Sequence, residues 1–369
     1  MKSWDAIVIG AGIIGLSLAI ELDKHGLRVL VVEKGEPGRE ASWAAGGMLV
    51  DFPAETAPGL RELATASTEM YPEFVRGLED ESGLKIDLRS VGTLVLAGAE
   101  TGLCPVLAGQ SPATTRAYAL PRPLAELEPA LRVDNSRDRS NDGSRVLYLQ
   151  ERCVDPRDLT AAAIAAARHR GIDFSSGDQV LDVEVANGRA CGVRTNKTQF
   201  SAGMVVNCAG AWAGQIGPYP FPTRPVKGQM LCVIMPQKEL VRHVVRAPDV
   251  YLIPRSDGRM LIGATSEEAG FDKRTVPETI QKLRQAALDL VPKLDDARFL
   301  SAWAGLRPGT PDGLPILGAT PTPGYFVATG HFRDGIMLAP VTAQLMAQMM
   351  TGQIHRIDVS KLSADRFAN

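Results

Sequence analysis

Three separated stretches carry side chains suited to chemistry. Residues 303–318, WAGLRPGTPDGLPILG, hold Arg307 among prolines and glycines. A guanidinium on a stiff loop is a natural fork for a carboxylate, because its planar donors match both oxygens. The competing reading is an ordinary surface ion pair. Residues 330–336, GHFRDGI, run into a helix expected over 336–350 and stopped by Gly352. The N-terminus of such a helix stabilises negative charge on whatever it faces. His331 is read as a backbone contributor, since a lone histidine is more often packed or capping than an acid or base. Tyr251, in DVYLIP at 249–254, is either half-buried packing or a second donor to a carboxylate. No His–Asp pair or carboxylate pair stands out as a general base.

The elements that must position these groups begin at the N-terminus. Asp5 to Ile9 is an apolar run, followed at once by Gly10-Ala11-Gly12-Ile13-Ile14-Gly15. Leu16 to Leu22 reads as a helix, and Arg28 to Val32 as a second strand ending at Glu33. Strand, glycine turn, helix, strand and acid form a dinucleotide fingerprint in its proper context. Gly10 permits the turn, Gly12 admits a pyrophosphate, and Gly15 lets the helix pack on the sheet. Glu33 is placed to accept bonds from ribose hydroxyls. The fingerprint by itself fits FAD and NAD equally. After it, residues 34–48 form a small-residue loop able to lie against a planar or phosphate-bearing ligand. A second buried strand, 205–207, runs into the small-residue turn CAGAWAG at 208–214, where a chain would return to a dinucleotide from another side.

A helix is expected over 55–82 from its one-sided apolar spacing, and another from Pro156 to Arg170 with Asp155 as N-cap and Gly171 as stop. A third is expected over 276–294. Strands are expected through 172–207 and 224–264, and a polar surface loop at 134–144. The chain of 369 residues has a net charge of −2, with no electrostatic reason to expect nucleic acid or an anionic membrane as partner. Cys104, Cys153, Cys191, Cys208 and Cys232 are scattered, without a CxxC pair. That argues against a disulfide framework or a metal site and for a reducing compartment, the cytoplasm. The apolar stretch from Ala6 to Ile20 falls short of the about 20 residues of a membrane span and is broken by glycines.

Together, the N-terminal fingerprint, the loop from Ser42 to Leu49, VKGQM at 226–230, the Tyr251 strand, WAGLRPGTPDG at 303–313 and GHFRDGI at 330–336 resemble the FAD-dependent D-amino-acid oxidase superfamily. Within it the chain is most similar to the bacterial glycine oxidases associated with thiamine biosynthesis. The resemblance covers nearly the whole chain. It implies an α/β fold, α+β overall: a Rossmann-like FAD-binding domain with an inserted antiparallel-sheet substrate domain. The FAD part would comprise 1–85, 145–220 and 298–369, and the substrate part 86–144 and 221–297. FAD contacts carry over to Gly10, Gly12, Ile13, Ile14, Gly15, Glu33, Lys34, Ala41, Ser42, Ala45, Gly46, Gly47, Met48 and Val180, and to the segment His331, Phe332, Arg333, Asp334, Gly335, Ile336, Met337. Substrate carboxylate binding carries over to Arg307 and Tyr251, with Arg333 beside the pocket. Two departures stand out. Asp334 replaces a frequent Asn, and Trp43 is larger than expected, so that it either narrows access or packs outside. No cysteine lies in 303–318 or 329–337, so the FAD is expected to be noncovalent.

The resemblance implies oxidation of glycine or another small amine, such as sarcosine or a small D-amino acid, by hydride transfer to flavin N5. O2 would then yield hydrogen peroxide, and the imine would hydrolyse to an oxo acid and ammonia. Such a transfer needs no base when the amine is neutral; the protein supplies position and electrostatics. Two alternatives stay open: a dehydrogenase passing electrons to a quinone or partner protein, and a flavin-binding module with a vestigial site. Relatives are often tetramers, so a homo-oligomer is expected.

Overall fold

The computed structural model describes residues 3–51, 56–96, 117–118, 120–132, 146–354 and 357–367. The loop expected at 134–144 lies outside them. The first sheet grows around Trp4–Ile9, whose inner residues are fully buried. This strand pairs in parallel with Val29–Glu33 on one side and Gln199–Asn207 on the other. Asp173–Ser176 and Tyr325–Thr329 extend the parallel set outward, and Ile316–Ala319 adds an antiparallel edge. A hairpin, Val180–Ala186 with Arg189–Thr195, leads into Gln199–Asn207. The chain leaves the central strand to one side and returns on the other. That makes the carboxyl ends of Trp4–Ile9 and Gln199–Asn207 a switch point, the place where such sheets open a crevice.

One face of this sheet is covered by Ile13–Lys24 and Ala339–Met350, with Arg61–Ser82 and Pro156–His169 packed beyond them. Asp155 caps the fourth of these through Arg157 N–H, as the sequence indicates. The last helix starts at Ala339, three residues later than expected. Pro340 lacks an N–H and must sit in the first turn, so it fixes the start. The preceding residues form turns, with Asp334 N–H on His331 O at 2.9 Å and Leu338 N–H on Asp334 O at 2.8 Å. Likewise Pro292 limits the helix expected over 276–294 to Pro277–Leu290, followed by a 3₁₀ turn.

The second sheet runs in the order Arg298–Gly309, Arg224–Ile234, Arg259–Gly263, Tyr251–Pro254, Val244–Arg246, Thr93–Leu96, Val146–Leu149, Ala117–Tyr118. It is antiparallel except where Val244–Arg246 meets Thr93–Leu96 in parallel. Pro277–Leu290 covers one face and buries Leu231, Val233 and Ile262. The other face looks toward the first sheet. A small three-stranded sheet, Met48–Leu49, Arg152–Val154 and Leu88–Arg89, joins the two.

The prolines and glycines around Arg307 form a strand, not the loop expected from their composition. Continuous pairing with Arg224–Ile234 sets this, with Arg307 opposite Val226 and Gly305 opposite Gly228. The strand is at the sheet edge, where Pro308 is tolerated because an outward N–H has no ladder bond to lose. The Pro308 carbonyl instead accepts the Phe332 N–H at 3.0 Å. The same pairing puts 298–309, together with 146–149, in the second sheet, across the boundaries expected at 298 and 145.

Candidate active site

A cavity of about 870 Å³ lies between the two sheets and opens at the switch point. Its nucleotide end is built by backbone. Gly10 has a φ of 100°, and a Cβ there would approach Cys208 O to 2.7 Å. The Glu33 carboxylate is buried and accepts Ala11 N–H at 2.8 Å and Gly35 N–H at 2.9 Å. It therefore braces the glycine turn while facing the cavity. Ser42 Oγ takes the Ile13 N–H at 2.9 Å, so the first helix does not offer all its N-terminal donors. Lys34 lies with its ammonium 3.0 Å from the centre of the Trp212 ring. Burial pulls its pKa below the usual lysine range, and Glu40 and Glu33 oppose that.

The middle of the cavity is walled by 44–48 and by 331–336. His331 is buried, with Nε2 3.2 Å from Thr342 Oγ1, and burial lowers its pKa to about 3. The ring is therefore neutral at physiological pH and faces a hydroxyl, as a packed histidine does. Burial raises Asp334 to about 6, with Arg333 opposing the shift. Arg333 itself is exposed, at 5.2 Å from the Phe332 ring. Trp43 packs outside: it meets Trp303 edge-on at 5.7 Å and carries the Arg157 guanidinium on its face at 3.7 Å.

The far end is built across the second sheet. Register places Met230, Gly263, Tyr251 and Arg246 side by side on four adjacent strands. Arg307 lies flat over Gly228, where a Cβ would come within 2.4 Å of both terminal nitrogens. Its Nη1 donates to Thr265 O at 3.0 Å. No carboxylate lies within ion-pair distance of it among the described residues, so the surface ion-pair reading does not hold. Burial raises the Tyr251 hydroxyl above the ordinary tyrosine pKa, and the neighbouring Arg307 charge opposes this. A positive fork and a phenol thus sit together in a desolvated wall with donors to spare, suited to a carboxylate.

Of the residues expected at the site, all but two line this cavity. Gly15 does not; its missing Cβ lets the helix pass Gly10 O, which a Cβ would approach to 2.1 Å. Met337 is buried in the helical core, its carbonyl taken by Ser67 Oγ at 2.6 Å. Other wall residues escaped the sequence analysis as site residues. Cys208 to Trp212 were marked only as a small-residue turn. Arg246, held by Glu151 at 3.1 Å, was not singled out either; the tight turn after it pairs it with Tyr251 on the next strand.

The nucleotide end and the middle of the cavity fit an extended ligand with a nucleotide at the glycine turn and a ring beside 44–48 and 331–336. The described residues match such a group: a turn closed to any Cβ, a bracing carboxylate and a small-residue wall. Comparison with known proteins agrees. Residues 5–349 match the family model "DAO: FAD dependent oxidoreductase". The chain is 35% identical to a glycine oxidase of Pseudomonas aeruginosa over 361 residues, covering 95% of this chain and 96% of that one. It is 30% identical over 413 residues to a hydrogen cyanide synthase subunit HcnC of the same species, covering 99% and 97%. The crystal structure of glycine oxidase from Geobacillus kaustophilus superposes with a TM-score of 0.90 at 31% identity, covering 100% of both chains.

Proposed function

The chain belongs to the DAO family of FAD-dependent oxidoreductases, and from that premise we propose that it oxidises glycine or another small amino acid or amine, with O2 as electron acceptor. FAD, when bound, supplies the hydride acceptor. The first sheet's turn and Glu33 hold its nucleotide half noncovalently, and residues 44–48 and 331–336 hold its ring. The second sheet holds the substrate. Arg307 and Tyr251 bind the carboxylate and fix the direction in which the α-carbon faces the ring wall; Arg333 lies at the rim. No side chain in the cavity has to remove the α-proton separately, since it leaves with its electron pair as hydride. The products are an imine, which water converts to an oxo acid and ammonia, and hydrogen peroxide.

One observation carries this reading. Arg307 is a guanidinium without a carboxylate partner among the described residues, seated beside the half-buried Tyr251 phenol in the same cavity as the nucleotide turn. The test is anaerobic titration of the holoenzyme with glycine, sarcosine and small D-amino acids, followed by admission of air. Bleaching of the flavin by one of them, with rapid reoxidation and stoichiometric peroxide, is the expected result. Bleaching without reoxidation in air would replace the oxidase by a dehydrogenase. No bleaching by any amine would sink the catalytic reading.

A further inference from the structure

The strand Tyr251–Pro254 contributes Tyr251 to the cavity and packs behind its wall at Gly46. Alternate residues of a strand share a face, so Tyr251 and Ile253 point the same way, and Arg255, just past the strand, reaches the same Gly46. Tyr251 lies in the carboxylate wall. Ile253 lies against Gly46, where a Cβ would come within 2.7 Å of Ile253 Cδ1. Arg255, two residues on, is 1% exposed and donates from Nη2 to Gly46 O at 2.7 Å. Its Nη1 donates to Val154 O and to Cys153 Sγ, each at 3.1 Å, and Asp155 Oδ2 lies 3.7 Å from Nε. A charge this deeply buried is retained only with such a set of partners.

Gly46 is the one acceptor in this set that belongs to the cavity wall. In a trans peptide the carbonyl of one residue and the N–H of the next point in opposite directions. With the Gly46 carbonyl held outward on Arg255, the Gly47 N–H is turned to the cavity side. On its other side Gly47 is anchored separately, which leaves the Gly46–Gly47 peptide to be oriented by Arg255. The φ of Gly47 is 79°, its carbonyl accepts Val154 N–H at 2.9 Å, and a Cβ there would lie 1.9 Å from Val154 O.

We infer that Arg255 is a positioning residue for the flavin ring, acting through the Gly46 carbonyl to aim the Gly47 N–H into the cavity. The same strand thereby fixes the substrate's phenol and the ring's donor in one rigid frame. An N–H aimed at a ring that gains electrons favours the reduced form. Arg255 is needed for that orientation and touches neither substrate nor ring. The inference rests on the proposed placement of the ring beside residues 44–48.

The test uses Arg255→Met and Arg255→Lys in the full-length chain. In Arg255→Met the FAD dissociation constant of the apoprotein should rise about tenfold. The visible flavin band should shift and the midpoint potential fall. The rate constant for flavin reduction by substrate should drop about 100-fold, the scale of a misplaced reacting group, with substrate affinity within about twofold. Arg255→Lys should recover part of each change, because an ammonium reaches Gly46 O without the full fork. If Arg255→Met does not fold, Arg255→Lys decides on the same readouts. A lower melting temperature with unchanged flavin spectrum, potential and FAD affinity would make Arg255 merely structural and overturn the inference. FAD affinity and spectrum test Arg255 even when no amine bleaches the wild type; that failure would count against amine oxidation alone.

Discussion

The two ends of the cavity are made in different ways. At the nucleotide end, the hydrogen bonds that brace the turn stay within the first 42 residues: Ala11 to Glu33, and Ile13 to Ser42. The donors are backbone N–H groups and the shape comes from glycines. At the carboxylate end, Arg307, Gly228, Thr265 and the hairpin that carries Arg246 and Tyr251 come from distant segments, brought together by strand register and a short loop. The donors there are side chains, and each depends on a neighbour from elsewhere in the chain. A local wall fails when its backbone is blocked. A register-built wall fails when one side chain is lost or displaced, with the rest of the fold intact.

The sharpest way to break the first wall is Gly15→Ala. The new Cβ would lie 2.1 Å from Gly10 O, a backbone atom that cannot step aside. A loss of about 3 kcal/mol or more is expected, with failure to retain FAD; a melting temperature near that of the wild type would refute the packing role. Arg307→Ala should leave FAD bound while KM for the amino acid rises about 100-fold, the worth of a charge-assisted fork. An unchanged KM would remove Arg307 from carboxylate binding. Gly228→Ala keeps the charge but pushes on the guanidinium, whose nitrogens lie 2.4 Å from the new Cβ. KM should rise about tenfold, less than in Arg307→Ala, and an effect on FAD affinity rather than KM would contradict the separation of the two walls.

The last comparison concerns the ring wall, between these two ends, where the effect appears only as a pH dependence of stability. Asp334 has a pKa of about 6 in the fold against an ordinary 3.8. Between those values the folded chain holds a proton that the unfolded chain has lost, so its contribution strengthens as pH falls. His331 runs the other way, at about 3 against 6.5, and loses stability as pH falls through the same window. The two slopes nearly cancel there. In Asp334→Asn only the histidine slope survives. That variant should be more stable than the wild type at alkaline pH, by about 1–3 kcal/mol. The advantage should fade as pH drops below about 6 and vanish near 3.8. Parallel stability–pH curves from denaturant unfolding would show that the Asp334 carboxyl is not desolvated.

The nucleotide end was legible from residue order because its physics is local. A turn that admits no Cβ, a helix behind it and an acid at the next strand end are all written within the first 33 residues. Even there, the Ser42 hydroxyl on Ile13 needed the fold to be seen. At the other end, residue type named Arg307 and Tyr251, but composition misread the Arg307 segment as a loop. Pairing with Arg224–Ile234 outweighed its prolines and glycines. Met337 was misplaced for a related reason: it follows the wall segment in sequence, yet the turn before Pro340 carries it into the core.

By itself, then, the amino-acid order determined the dinucleotide turn, the helix start at Asp155 and Pro156, and the guanidinium proposed to hold the carboxylate. These depend on backbone freedom, missing donors and residue type, which are properties of a few adjacent residues. Only the tertiary structure decided that Arg307 lies over Gly228 free of any carboxylate partner among the described residues, and that Arg255 reaches the Gly46 carbonyl. Both join segments far apart in the chain, and the way such segments meet is set by the register and burial of whole sheet faces, which no local pattern encodes.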